Sequence, residues 1–409
     1  MEGAVNLFDA VVPPPAKPGA YVMRDYQQHS TTAAVDYLKA RHNRNGILVL
    51  PGGAGKSIVI ANIVKDLGEP TLIFQPSKEL LAQNVEKYRS YGYKCGIYSA
   101  SAGVKRFDDV TFAMIGSVIN KKEALRRFKY ILVDEAHLVG NEGGYASLID
   151  HLGVKVIGLT ATPYRLGKTY DQFGNAQAIL KFLTRTKERV FSDVVHYVQN
   201  QELFDRGYLC PMEYFDVPGI QRNALQVNST GADFTDASVE YQFENGGMYG
   251  KIVKVVNRLM ETGGNQCLVF TKFTKEAEIL ARAIPNTAIV TAKTKPDDRK
   301  RIIDKYREGR IKCIANVSVL AVGFDHPPLD NVVIARPLRS LGLFAQMIYR
   351  CARPHASKKK ARIVDMGGNL PQFGEVRDLE LSHEGGWHYR SNGRQLTNIP
   401  FGDKFKARR

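Results

Sequence analysis

Along this chain, short apolar runs alternate with stretches whose apolar residues recur every three or four positions. Between about residues 21 and 195 the runs are "GILVL" (46–50), "TLIF" (71–74), "YILVDE" (130–135) and "KVIGLTAT" (155–162), rich in residues that favour strands. The helical stretches between them include "KSIVIANIVKDL" (56–67) and "SKELLAQNVEKYRSYG" (77–92). Such alternation predicts a parallel sheet covered by helices. Residues 196–247 interrupt it. "NALQVNSTGADFTDASVEYQFENGGMYG" is polar and rich in turn formers, so a connector is expected there. The alternation resumes over 248–370. "QCLVF", "TAIVTA", "IKCIANV", "NVVIAR" and "ARIVDM" predict strands, and "IVKVVNRLMETG", "KEAEILARAI", "RKRIIDKYREG" and "LFAQMIYRCARP" predict helices. The expected fold class is therefore α/β, with tandem parallel-sheet domains at 21–195 and 248–370. Residues 1–20, rich in Pro and Gly, read as a flexible leader. In the basic tail, 371–409, Asn392-Gly393 predicts the two-residue turn of a hairpin.

Charge adds a partner to that picture. The 409 residues carry a net charge of +16 and a pI near 9.5, which favours a polyanion, nucleic acid first. A hydrophobic fraction of 44% is enough for packed cores. The cysteines (Cys95, Cys210, Cys267, Cys313 and Cys351) are scattered, with no C-x-x-C pair. That spacing argues against a zinc ribbon or a disulfide framework and suits a reducing compartment. The N-terminus carries Glu2 and Asp9 and no basic segment, unlike a signal peptide. No apolar run nears the ~18 residues that span a bilayer. A soluble intracellular protein, with neither membrane nor zinc, is expected.

Two motifs bring in chemistry. "LPGGAGKSIVIA" follows a predicted strand and opens a predicted helix. Glycines there let backbone N–H groups turn toward phosphate oxygens. In Gly53-Ala54-Gly55-Lys56-Ser57, Lys56 would reach the β- and γ-phosphates and Ser57 would bind Mg²⁺. Leu50 stands where the strict pattern has its first glycine. Further on, "YILVDEAH" ends a predicted strand on two acids. Asp134 would hold the metal and Glu135 would position or deprotonate the attacking water. The pair of motifs specifies hydrolysis of a nucleoside triphosphate but not its purpose.

With Thr160-Ala161-Thr162 in register, the motifs resemble those of superfamily 2 helicases, of the DEAH type, over nearly the whole chain. "GLTATPYRLGK" and "VLAVGFDHPPLDNVVIARPLRSLGLFAQMI" are most similar to RadD-like repair helicases, in a group that includes phage and restriction-enzyme motors. The resemblance implies two RecA-like domains with the nucleotide site in the cleft between them. It implies that "MRDYQQHS" reads adenine, through Arg24, Tyr26 stacking and Gln27 on the base edge. It implies a grip on the nucleic-acid backbone by Pro76 and Ser77 of "QPSKELLAQN", by Gly116 and Ser117 of "IGSV", and by Thr271 of "CLVFTKFTKEAE". Gly323 and Asp325 would sense the nucleotide, and His137 with Thr160 and Thr162 would couple hydrolysis to domain movement. Gln346, Arg350 and Arg353 of "QMIYRCARP" match the family's last motif, Q-x-x-G-R-x-x-R, and its arginines would face the γ-phosphate. Tyr349 stands in place of the motif's glycine.

The function expected is an ATP-dependent DNA helicase, coupling hydrolysis to translocation and to unwinding or remodelling of DNA in repair, recombination or replication. ATP and Mg²⁺ are the expected cofactors, single-stranded or branched DNA the favoured substrate, and replication or repair proteins the candidate partners. The setting expected is the cytoplasm of a bacterial or phage-infected cell, as a compact phage or mobile-element form of the motor. An RNA helicase or non-unwinding translocase is the nearest alternative. An ATP-switched nucleic-acid clamp is an alternative of another class. A small-molecule kinase is disfavoured, because nothing in the second half resembles an acceptor site.

Overall fold

The computed structural model describes residues 22–401, apart from positions 141, 142, 171, 175, 218, 230, 318 and 322. The expected leader, 1–20, and the end of the tail, 402–409, lie outside the described residues. The chain divides into two compact units. One comprises residues up to Arg165 with Lys181–Val198, the other Leu166–Leu180 with residues from Gln199 onward.

The first unit runs α1 (Asp25–Lys39), β1 (Gly46–Val49), α2 (Lys56–Leu67), β2 (Thr71–Phe74), α3 (Lys78–Ser90), β3 (Gly96–Ser99), β4 (Val104–Arg106), β5 (Val110–Ala113), β6 (Tyr130–Asp134) and β7 (Lys155–Thr160). β8 (Tyr164–Tyr170) and β9 (Ala176–Phe182), which lie mostly in the second unit and form a three-stranded sheet with the strand Pro400–Phe401, precede β10 (Asp193–Tyr197). The unit's sheet has the order β10-β1-β7-β6-β2-β5-β3-β4, and only β4 runs antiparallel to its neighbour. Every residue of β1, β2 and β3 is buried, as strands covered on both faces require. In such a sheet, loops leaving the carboxyl ends of neighbouring strands converge, and ligands bind there. The loops after β1, β6 and β7 therefore meet.

The second unit has its own parallel sheet. Its strands are β11 (Met212–Asp216), β12 (Cys267–Thr271), β13 (Thr287–Val290), β14 (Cys313–Val317), β15 (Asn331–Ala335) and β16 (Ala361–Asp365), in the order β11-β16-β15-β12-β14-β13. Here the structure departs from a connector at 196–247. β11 pairs with β16, and Val239 and Phe243 pack into the core beside Ile252, Val256, Val269 and Val333. The polar composition around 223–235 hid these few apolar anchors.

Beyond this sheet, β17 (Leu379–Ser382), β18 (His388–Ser391) and β19 (Arg394–Gln395) form a small antiparallel sheet. Asn392 and Gly393, at φ 48° and 75°, join β18 to β19. Both positive angles are what a two-residue hairpin turn needs.

Candidate functional site

The loop after β1 begins the site. Leu50 N–H donates to the Thr160 carbonyl (3.0 Å), so this loop and the end of β7 leave the sheet together. From below, the first turn of α1 braces the loop. The Tyr26 hydroxyl (2.9 Å) and Gln27 Nε2 (2.8 Å) both donate to the Ala54 carbonyl. Gln27 Oε1 accepts from Arg24 N–H (3.0 Å), and Arg24 Nη1 lies 3.4 Å from the Tyr26 hydroxyl. Gly55 has φ +85°, and a Cβ there would lie 2.6 Å from Gln27 Nε2, so backbone angle and close approach both demand glycine. The resemblance implied that Tyr26 stacks on a base and Gln27 reads its edge. In the structure Tyr26 is 2% exposed and Gln27 4% exposed. The ring is packed rather than presented, and the Gln27 amide is committed to the loop.

Lys56 opens α2, whose first-turn N–H groups lack helical acceptors. A chain of contacts runs from it. Lys56 Nζ is 3.5 Å from Glu135 Oε1, and Glu135 Oε2 is 3.4 Å from His137 Nδ1. That nitrogen lies 2.9 Å from Thr160 Oγ1 and 3.1 Å from Thr162 Oγ1. Thr160 Oγ1 also accepts from Thr162 N–H (3.0 Å). Glu135 sits at φ +53°, a left-handed backbone that a residue with a Cβ adopts at a cost of about 1–3 kcal/mol. Strain of this kind gathers where a side chain must be aimed.

A second chain links Ser57 to Asp134 through a residue the motif reading did not single out. The Ser57 hydroxyl donates to Asn84 Oδ1 (2.5 Å), and Asn84 Nδ2 donates to Asp134 Oδ2 (2.9 Å) and to Gln75 Oε1 (2.7 Å). Asp134 Oδ1 accepts from Glu135 N–H (3.0 Å). Burial first, and the Glu135 carboxylate second, push the Asp134 pKa up to about 6 against the pull of Lys56 and Asn84. Burial holds the His137 pKa below its ordinary value. The sequence did carry a signal for Asn84. It falls in the buried stripe of α3 with Leu81, Val85 and Tyr88, where an amide is out of place without partners.

The expected nucleic-acid contacts divide. Pro76 and Ser77 follow β2 and Gly116 and Ser117 follow β5, at the carboxyl edge of the first sheet. Ser77 caps α3 by accepting from Leu80 N–H (3.2 Å), and Ser117 Oγ accepts from Ala100 N–H (2.9 Å). Gly116 is exposed. Thr271 is a correction. Its side chain is 0% exposed at the end of β12, and its hydroxyl donates inward to the Phe273 carbonyl (3.2 Å), leaving nothing for a strand to touch.

In the second unit, half-buried Gln346 lies on the helix Leu341–Ile348, and Arg350 and Arg353 follow it. Arg350 Nη1 donates to the Phe324 carbonyl and its Nε to the Gln346 carbonyl (3.1 Å). Arg353 pairs with Asp325 (2.8 Å) and keeps 45% of its side chain exposed. Gly323, at φ +77°, precedes them in the adjoining loop. Tyr349 takes φ −62° and ψ −11°, ordinary right-handed angles, so the backbone there has no need of the glycine usual in this motif. The Tyr349 ring is buried and its hydroxyl donates to Asn200 Oδ1 (2.5 Å).

Comparison with known proteins bears on the two halves of the chain as domains. Residues 20–165 match the family "Type III restriction enzyme, res subunit", and residues 250–355 match "Helicase conserved C-terminal domain". A 51.5 kDa protein of a Lactococcus phage is 25% identical over 82% of this chain and 69% of its own length. The DNA 3'-5' translocase XPB2 of Sulfurisphaera tokodaii is 25% identical over 88% of this chain and 84% of its own. Among solved structures, a fragment of an HsdR subunit of a type I restriction enzyme from Vibrio vulnificus superposes with a TM-score of 0.64 at 19% identity. That match covers 87% of this chain and 66% of the fragment, and shows a shared two-domain, RecA-like fold.

Proposed function

We propose that this superfamily 2 helicase is an ATP-hydrolysing motor that moves along DNA and separates or remodels its strands. The observation that carries the reading is the unbroken run of contacts from Lys56 through Glu135 and His137 to Thr160 and Thr162. It joins a phosphate-binding lysine to the residues expected to report hydrolysis to the rest of the protein. Lys56 and the amides of its loop hold the β- and γ-phosphates. Glu135 orients the attacking water and takes its proton. Ser57 and Asp134 supply a hydroxyl and a carboxylate, the hard oxygen donors that suit Mg²⁺. When bound there, Mg²⁺ offsets negative charge on the transferred phosphoryl group. By the motif resemblance, Arg353 and Arg350 are the side chains proposed to act on the same charge in the transition state. Pro76, Ser77, Gly116 and Ser117 face the strand.

DNA is favoured over RNA by the restriction-enzyme family match and by the relative named as a DNA translocase. The phage relative favours a phage-type motor acting in an infected cell. A RadD-like affiliation, a cytoplasmic setting and replication or repair partners are proposed from the motif resemblance alone. Among the described residues no helix is long and apolar enough to cross a membrane.

The test is the ATPase rate with single-stranded, duplex and branched DNA and with RNA, for the native protein and Lys56→Ala. DNA should stimulate the native rate and the variant should be inactive with its fold intact. Stimulation by RNA alone would replace DNA in the reading. A Lys56→Ala variant with native turnover would remove hydrolysis from this site.

A further inference from the structure

We propose that Asn84 is a positioning residue for the metal-binding oxygens of the nucleotide site, setting the directions in which the Ser57 hydroxyl and the Asp134 carboxylate present themselves. The inference rests on the reading of this site as one for a nucleoside triphosphate. Asn84 is 4% exposed on α3, outside both the loop and the acidic strand end, yet its amide bonds to each.

The amide can face only one way. An ionised Asp134 oxygen and the Gln75 carbonyl oxygen are both acceptors, so the two N–H donors of Nδ2 must point at them. The reverse orientation would set Oδ1 against two acceptors. Oδ1 is thereby turned to Ser57, and the hydroxyl has to donate its proton to it. A hydroxyl that donates in this direction keeps its lone pairs for another partner, as a cation ligand must. The Asp134 carboxylate is likewise fixed by two donors, Asn84 on Oδ2 and the Glu135 N–H on Oδ1. One side chain thus sets the spacing of a loop hydroxyl and a strand-end carboxylate and also the state of their lone pairs.

Gln75 supports the assignment. It is 1% exposed, and its Oε1 accepts from Asn84 while its Nε2 has no hydrogen-bond partner among the described residues. Turning the Gln75 amide over would bring donor against donor. The Gln75 carbonyl thus holds one of the two Nδ2 donors and fixes the side of the Asn84 amide that faces Ser57.

The experiment is a Mg²⁺ titration of the binding of a fluorescent ADP analogue to the full chain, native and Asn84→Ala. Outer partners that orient a metal ligand are worth typically about 10- to 100-fold in metal affinity. The variant should therefore need about 10- to 100-fold more Mg²⁺ for half-maximal tightening, with affinity measured in EDTA within about twofold of native. A merely structural role would weaken binding equally with and without metal, or leave the titration unmoved, and either result overturns the proposal. Should Asn84→Ala fail to fold, Asn84→Leu, which fills a similar volume without hydrogen bonds, is read in the same way. A native protein that does not bind the analogue overturns the nucleotide-site reading itself, and one that binds it with no dependence on Mg²⁺ overturns the metal role of Ser57 and Asp134 and with it the proposal. A dependent native protein with unaffected variants overturns only the role of Asn84.

Discussion

Asp134 and Glu135 are neighbours in sequence with opposite environments, and their substitutions should separate. Asp134 is locked between two donors, while Glu135 swings out on a left-handed backbone toward Lys56 and His137. Glu135→Gln keeps size and backbone but cannot take a proton, so turnover should fall about 10²–10⁴-fold. ATP and DNA should then stay bound together, and loss of ATP binding in an equilibrium titration would reverse the roles given to the two acids. Asp134 makes a pH-dependent prediction. Its folded pKa, about 6, lies above that of a free Asp side chain, so its ionisation burdens the folded state increasingly from about pH 4 and fully above pH 6. As pH falls through 6 the group protonates and that burden is relieved. Asp134→Asn, which carries no charge at any pH, should therefore raise the melting temperature relative to the native protein at pH 8. The difference should shrink steadily as pH falls below 6 and approach zero only below about pH 4, while native ATPase activity falls as Asp134 protonates. A difference in melting temperature that is independent of pH would mean that Asp134 is not held near neutrality by burial.

At the scale of elements, the segment from Leu341 to Arg353 shows why two similar arginines need not behave alike. Arg350 is folded back onto the carbonyls of Phe324 and Gln346, whereas Arg353 is half exposed and held by one carboxylate. Arg353→Ala should abolish DNA-stimulated hydrolysis, by roughly 10³-fold or more, and leave the melting temperature near native. Arg350→Ala should lower both, since it also opens hydrogen bonds of about 1–3 kcal/mol. ATPase assays beside thermal melts decide it, and two variants with native rates would make this segment structural. The same elements show what was legible beforehand. The strands at 71–74 and 130–134 and the helix at 56–67 were plain, because buried parallel strands and amphipathic helices leave strong patterns. β11 and the helix around Phe243 were not, because a few apolar anchors in a polar stretch carry no period. At the site, the loop, the acids and the threonines were legible as motifs. The packing of Tyr26 under the loop and the burial of Thr271 were not, because a motif names a residue without saying which way its side chain turns.

Over the whole molecule, the net charge of +16 becomes an expectation about affinity. Some of that charge is already committed. Lys358 is buried with its ammonium on the carbonyls of Leu329 and Cys351, and Lys360 pairs with Glu213. Exposed Lys359, in the same loop, is an accessible cation. If about five phosphates are neutralised on a single strand, log K should fall with log salt at a slope of about −3.5, since each contact contributes about −0.7. Fluorescence titrations of a labelled oligonucleotide across a range of salt concentrations measure that slope. Lys359→Gln should lessen it by about 0.7 if this loop tracks the backbone, with little change in preference among sequences. The basal ATPase rate without DNA should not move, because Lys359 lies outside the contacts around Lys56 and Glu135. A native slope near zero would mean that the excess positive charge serves solubility, and that the strand is held by hydrogen bonds at Ser77 and Ser117 rather than by ion pairing.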